Sequence, residues 1–163
     1  DQMQLDIEQT RRVVTDMNDQ WKTQLDWLAS MPISLPVQED HRLSSGFGIR
    51  NDPFTGNLAM HEGLDFVAPV GTPVMATAPG QVIRSERDLS YGHVVDILHS
   101  DGFMTRYAHL SVRMVKEGDM VERQQVIGQV GSTGRSTGPH LHYEIHRRDR
   151  ALNPTLMLSR TGG

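Results

Sequence analysis

Cysteine is absent from this 163-residue chain. That excludes disulfides and thiolate ligands, so any metal here must be held by His, Asp or Glu. Lysine occurs only as Lys22 and Lys116, no basic block or aromatic-plus-basic stripe is present, and the net charge is −4. Nucleic acid is therefore not an expected partner. No apolar run approaches the length of a membrane span, and no secretory signal pattern is present. The chain begins at Asp1 without Met, already inside a helical pattern. It is expected to be a fragment whose natural N-terminus, with any targeting segment or membrane anchor, lies upstream.

What is present points to a turn-rich, mainly β chain: 15 glycines and a hydrophobic fraction of 37%. The length suits one domain with an appendage. Ile7, Val14, Met17, Trp21, Leu25 and Leu28 recur at spacings of seven, three and four, so residues 1–30 read as a helical or coiled-coil segment with one apolar face. Pro32 and Pro36 stop that helix, and residues 31–42 read as a linker. From residue 43 to 157 short β segments alternate with Gly, Pro and Asp, and 158–163 form a tail. Strands are expected at 45–49, 64–67, 72–77, 80–86, 93–99, 103–109, 120–121, 126–130 and 140–146. The Ser100-Asp101-Gly102 turn joins two of them as a hairpin. No amphipathic helix separates any pair, which predicts an antiparallel β-sheet or folded β-sandwich.

The residues with chemistry fall in three places. In Gly138-Pro139-His140-Leu141-His142-Tyr143-Glu144-Ile145-His146 polar and apolar residues alternate. A strand period of two therefore puts His140 and His142 on one face. Paired imidazoles there are either a solvated polar face or part of a transition-metal site. His61-Glu62-Gly63-Leu64-Asp65 lacks the second His and the helical flanks of a zinc-protease helix. Read as a loop entering a strand, it lets His61 and Asp65 converge on one ion while Glu62 points away. The third place is Tyr107-Ala108-His109-Leu110, where Phe103, Thr105, Tyr107 and His109 are expected to share a face. His41, His93, His99 and His146 have no partner motif, although His146 shares the face of the paired histidines. Gly131–Ser136 lacks the Gly and Lys of a phosphate-binding loop, since Gln129 and Arg135 stand there, and reads as a loop walling a groove. Residues 115–128 look like the turn-and-strand pattern of biotinyl- and lipoyl-carrier folds, but no lysine sits at a hairpin tip to carry the group.

In this order, His61-x-x-x-Asp65, Tyr107-x-His109-Leu110 and Gly138-Pro139-His140-Leu141-His142-Tyr143-Glu144 resemble the three signature motifs of the lysostaphin-type (LytM-like) zinc metallo-endopeptidases of bacterial cell walls. Phe47-Gly48-x-Arg50, Gly71-Thr72-Pro73-Val74, Ala78-x-Gly80 and Asn153-Pro154 match as well, so the resemblance covers about residues 44–155. It implies the duplicated, biotinyl/lipoyl-like β-sandwich of that family, with the N-terminal helix outside it. It implies one Zn2+ per chain held by His61, Asp65 and His142, with a fourth position left for water as in catalytic sites. His109 and His140 would then serve as general base and acid or stabilise an oxyanion; which of them takes the proton stays open. Arg50 and the loop 51–58 would shape the cleft. The implied substrate is the peptide of peptidoglycan, at a stem cross-link or an interpeptide bridge, in the bacterial envelope, periplasmic or extracellular. A regulatory protein acting through the N-terminal helix is a further implied partner. Some domains of this fold have lost their ligands and activate cell-wall amidases; here all five site residues are present.

Overall fold

The computed structural model describes residues 1–38 and 42–158. His41, part of the expected linker, and 159–163 of the expected tail lie outside the described residues. The chain divides into two units, Asp1–Ser30 and the β-domain that begins at Met31. The first is a single helix, α1 (Gln2–Ser30), ended before Pro32, whose ring and missing N–H cannot continue it. The face carrying Val14, Met17, Trp21 and Leu25 is exposed. No helix among the described residues is long and apolar enough to cross a membrane.

The β-domain contains β1 (Arg42–Ser45), β2 (Gly48–Asn51), β3 (Leu58–His61), β4 (Leu64–Val67), β5 (Pro73–Met75), β6 (Gly80–Asp88), β7 (Gly92–Leu98), β8 (Phe103–Leu110), β9 (Val112–Arg113), β10 (Met120–Val121), β11 (Val126–Gln129), β12 (Leu141–Arg147) and β13 (Arg150–Leu152). The large sheet runs β1-β4-β12-β8-β7-β6-β10, with β13 beside β12, while β5-β11-β9 and β2-β3 form smaller sheets. The paired strands are antiparallel, as the sequence predicts. The hairpin at Ser100–Gly102 is also present, with Asp101 at φ 57 making the turn. The strand expected at 45–49 is instead divided between β1 and β2.

The alternation in β12 organises the domain. Leu141, Tyr143 and Ile145 enter the core with Phe66, Ile97, Tyr107, Leu110 and Ile127. His142 and Glu144 take the other face and are also buried. Residues 31–38 differ from the expected linker. Met31 and Val37 are buried core residues, and Arg123 donates to Met31 O at 2.8 Å and to Ser34 Oγ at 2.7 Å. Prolines made the segment look like a spacer, yet between them they position apolar side chains against strands distant in sequence. Deletion of 1–30 is therefore expected to leave the β-domain folded. Deletion through residue 42 should lower its thermal unfolding midpoint, because burying Met31 and Val37 contributes about 1.5–3 kcal/mol each. Circular dichroism melts of the two truncations check this.

Candidate metal and catalytic site

The site lies on the face of the large sheet opposite the core. Register places His142 directly across from Asp65, and the tight turn between β3 and β4 returns His61 to the same spot. That turn needs Gly63, since a Cβ there would lie 2.7 Å from His142 Cε1 and 2.6 Å from Tyr143 O. His142 Nδ1 is 2.9 Å from Asp65 Oδ1 and 3.2 Å from His61 Nε2, and His61 Nε2 is 3.3 Å from Asp65 Oδ1. Donors on tetrahedral zinc, bound at about 2.0–2.1 Å, stand about 3.3 Å apart. The spacing and the two-nitrogen, one-oxygen donor set therefore fit zinc.

Each imidazole is oriented by its second nitrogen. His61 Nδ1–H donates to Gly46 O at 2.7 Å, leaving Nε2 for the metal. His142 is turned the other way: Nε2 meets Glu144 Oε1 at 2.8 Å, and Nδ1 faces inward. Asp65 has Arg50 3.5 Å from its other oxygen. Burial pushes the Asp65 carboxyl up, but the contacts with His142 and His61 outweigh it and hold the group below the usual carboxylate range. Burial likewise pushes His142 down, while Asp65 and Glu144 raise it to about 9. The metal-free protein thus keeps a proton on His142 at neutral pH, and zinc must displace it from Nδ1. Zinc binding at pH 7.5 is expected to release about one proton from this residue, fading above pH 9. Calorimetry in buffers of different ionisation enthalpy measures this directly.

His109 and His140 flank the ligands, with their rings 4.8 Å apart. His109 Nδ1–H donates to Thr133 O, and His140 Nδ1–H to Gly138 O, each at 2.7 Å. Both Nε2 atoms are left free of those bonds, and that of His140 stands 3.9 Å from Asp65 Oδ1. Burial, aided by the neighbouring His140 and His142, lowers His109 to about 4 despite the Thr133 contact, so its imidazole is neutral at pH 7. The expected face shared by Tyr107 and His109 is not found. The pairing slips between His93 and Val95 of β7, and His109 takes φ 61. Tyr107 and Leu110 enter the core, whereas His109 comes within 5.9 Å of the His142 ring. Left-handed backbone at a non-glycine residue is strained, and such strain gathers at functional sites.

These residues line an open groove of about 640 Å³. Arg50 and residues of the loop 51–58 line it, as expected, and so do residues 135–138 of the loop leading into β12. Arg135 pairs with Asp52 at 2.9 Å and lies over the Phe54 ring, tying the two walls together. Glu62 is exposed, as expected from its parity, but it also borders the groove. Of the histidines without a motif, His99 is a buried structural residue held by Pro79 O and Thr105. His146 meets Glu144. Sequence reasoning gave Glu144 no role; its shared parity with His142 was the available signal.

The family model for peptidase family M23 matches residues 59–154, a span that contains all five clustered residues. The chain is 45% identical over 127 residues to the peptidoglycan DD-endopeptidase ShyC of Vibrio cholerae, covering 74% of this chain and 29% of that protein. A zinc-containing peptidase from Vibrio cholerae has a crystal structure similar to this one at TM-score 0.71 and 39% identity, covering 77% of this chain and 39% of that one. The catalytic domain of lysostaphin from Staphylococcus simulans is similar at TM-score 0.67 and 31% identity, covering 80% of this chain and 94% of that domain. The chain thus spans less than a third of the length of ShyC. With its motifs, fold and donor set in agreement, the chain belongs to peptidase family M23.

Proposed function

We propose that this chain is the zinc-dependent endopeptidase domain of a peptidoglycan hydrolase, cutting peptide cross-links or bridges of the bacterial cell wall. The observation that carries the reading is the convergence of His61 Nε2, Asp65 Oδ1 and His142 Nδ1 within 4.8 Å in an open groove. The name of ShyC, a peptidoglycan DD-endopeptidase, favours a stem cross-link over an interpeptide bridge.

Zinc held by these three residues supplies a Lewis acid for the scissile carbonyl and acidifies the attacking water to a pKa of about 7. The chain's own residues do the rest. His109, kept neutral by burial, takes the proton at Nε2, while its Nδ1–H stays fixed on Thr133 O. His140, fixed through Gly138 O, presents Nε2 from beside it to stabilise the developing oxyanion or to protonate the leaving amine. The two loops joined by Arg135 and Asp52 form the wall along which a peptide lies. The helix 1–30 forms a separable N-terminal segment through which a regulatory protein acts. The site works in the bacterial cell envelope, periplasmic or extracellular, where its peptidoglycan substrate lies.

The alternative, a binding module that activates an amidase, is disfavoured because none of the five site residues is missing. Incubation with cross-linked muropeptide dimers, read by mass spectrometry, separates the two. Hydrolysis to monomers by the purified chain supports the peptidase. Intact dimers, together with acceleration of an added amidase, would support the module.

A further inference from the structure

Glu144 is 1% exposed, yet four donors surround its carboxylate. Oε1 accepts from Tyr91 Oη at 2.9 Å and meets His142 Nε2 at 2.8 Å. Oε2 meets His146 Nε2 at 2.6 Å and accepts from Arg106 at 3.3 Å. Register explains the arrangement. Glu144 lies opposite Arg106, Arg106 opposite Asp96, and Asp96 opposite Arg84. Four adjacent strands thus carry a ladder of alternating charge, Arg84–Asp96–Arg106–Glu144, ending two residues from His142. Arg106 grips Asp96 through both Nε and a terminal nitrogen at 2.8 Å, a bidentate pair that fixes the guanidinium. The Arg106 guanidinium also lies over the Tyr91 ring, 4.7 Å from its centroid.

We propose that Glu144, braced by this cross-strand ladder, is a positioning residue that holds His142 with Nδ1 toward the metal and so sets zinc affinity. The proposal rests on the reading of His142 as a ligand. A carboxylate bound to the N–H of a ligating imidazole fixes its tautomer and ring orientation, and losing such a partner typically costs 10–100-fold in metal affinity. Among the described residues, Glu144 is the hydrogen-bond partner of His142 Nε2. The ladder makes the orientation stiff. Rotating Glu144 would take its buried carboxylate away from Arg106, Tyr91 and His146, and Arg106 cannot follow it without releasing Asp96.

The test is Glu144→Gln in the full chain. The amide has an acceptor on one side only. Arg106, a permanent donor, claims that oxygen and turns the amide NH2 toward His142, favouring the tautomer with its proton on Nδ1, where the metal should sit. Zinc affinity, measured by competition with a chromophoric chelator, is expected to fall 10–100-fold. The visible absorption of the cobalt-loaded protein is expected to change as the imidazole tilts. A merely structural Glu144 would lower the melting temperature but leave both readouts unchanged, and that result would overturn the proposal. Should Glu144→Gln fail to fold, Arg106→Lys decides. It keeps the charge and loses the fork, so a smaller loss of zinc affinity is expected, and wild-type affinity would overturn the ladder. Both readouts are independent of substrate. A wild-type chain that binds zinc but cuts no peptidoglycan would defeat the proposed function and leave this inference standing.

Discussion

His142→Ala is expected to lose nearly all of its zinc and, with it, all measurable hydrolysis. Three protein ligands are the minimum of a catalytic zinc site, and this substitution leaves His61 and Asp65 alone. The loss should exceed the 10²–10⁴-fold that removal of one acid–base residue typically costs, because the group that generates the nucleophile departs. Asp65 would keep His61 and Arg50 beside it, with His140 farther off at 3.9 Å. The metal-free domain should therefore also lose some stability, on the order of 1–3 kcal/mol for a buried acceptor deprived of a partner. Zinc content by atomic absorption, with circular dichroism as a folding control, checks the first effect apart from the second.

His140→Ala and His109→Ala should behave differently from His142→Ala and like each other. Neither residue belongs to the group of three whose donor atoms converge, so both variants should retain about one zinc per chain. Turnover of a cross-linked muropeptide should nevertheless fall by about 10²–10⁴. His109 carries an additional complication, because Ala in its place must still hold φ 61. His109→Asn, whose residue type visits that region more readily, separates backbone strain from the lost imidazole. Equal losses in the Ala and Asn variants would assign the effect to the ring. Loss of zinc in His140→Ala with retention in His142→Ala would reverse the roles along β12.

The parts of this site that follow simple periodicity were legible from sequence. His61 and Asp65 share parity across a short turn, and His142 shares parity with His140 and Glu144, so a two-residue repeat put each group on one surface. That His61, Asp65 and His142 form one ligand set was legible only through the resemblance, since it depends on register. His109 was legible only through the resemblance of its motif. Strict alternation from Tyr107 would send it into the core, and the irregular pairing with β7 that reverses it depends on strands ten or more residues away. The ladder behind Glu144 was illegible for the same reason: Arg84, Asp96 and Arg106 become neighbours only once register is set. Residues 31–38 show the limit of composition. Two prolines in eight residues look like a spacer, and nothing local reveals that Met31 and Val37 complete a core built mostly from strands beyond residue 60. Which nitrogen of His142 faces the metal was also beyond the sequence, since it follows from the Glu144 contact and not from residue type.

The most direct test of the account removes the metal and returns it. The purified chain is stripped with a chelator, dialysed, and assayed on cross-linked muropeptides before and after addition of one equivalent of zinc. Turnover should vanish on stripping and return with that single equivalent. The β-structure should persist throughout, because the core forms without help from the site. Undiminished turnover in protein shown to be free of metal would contradict the account.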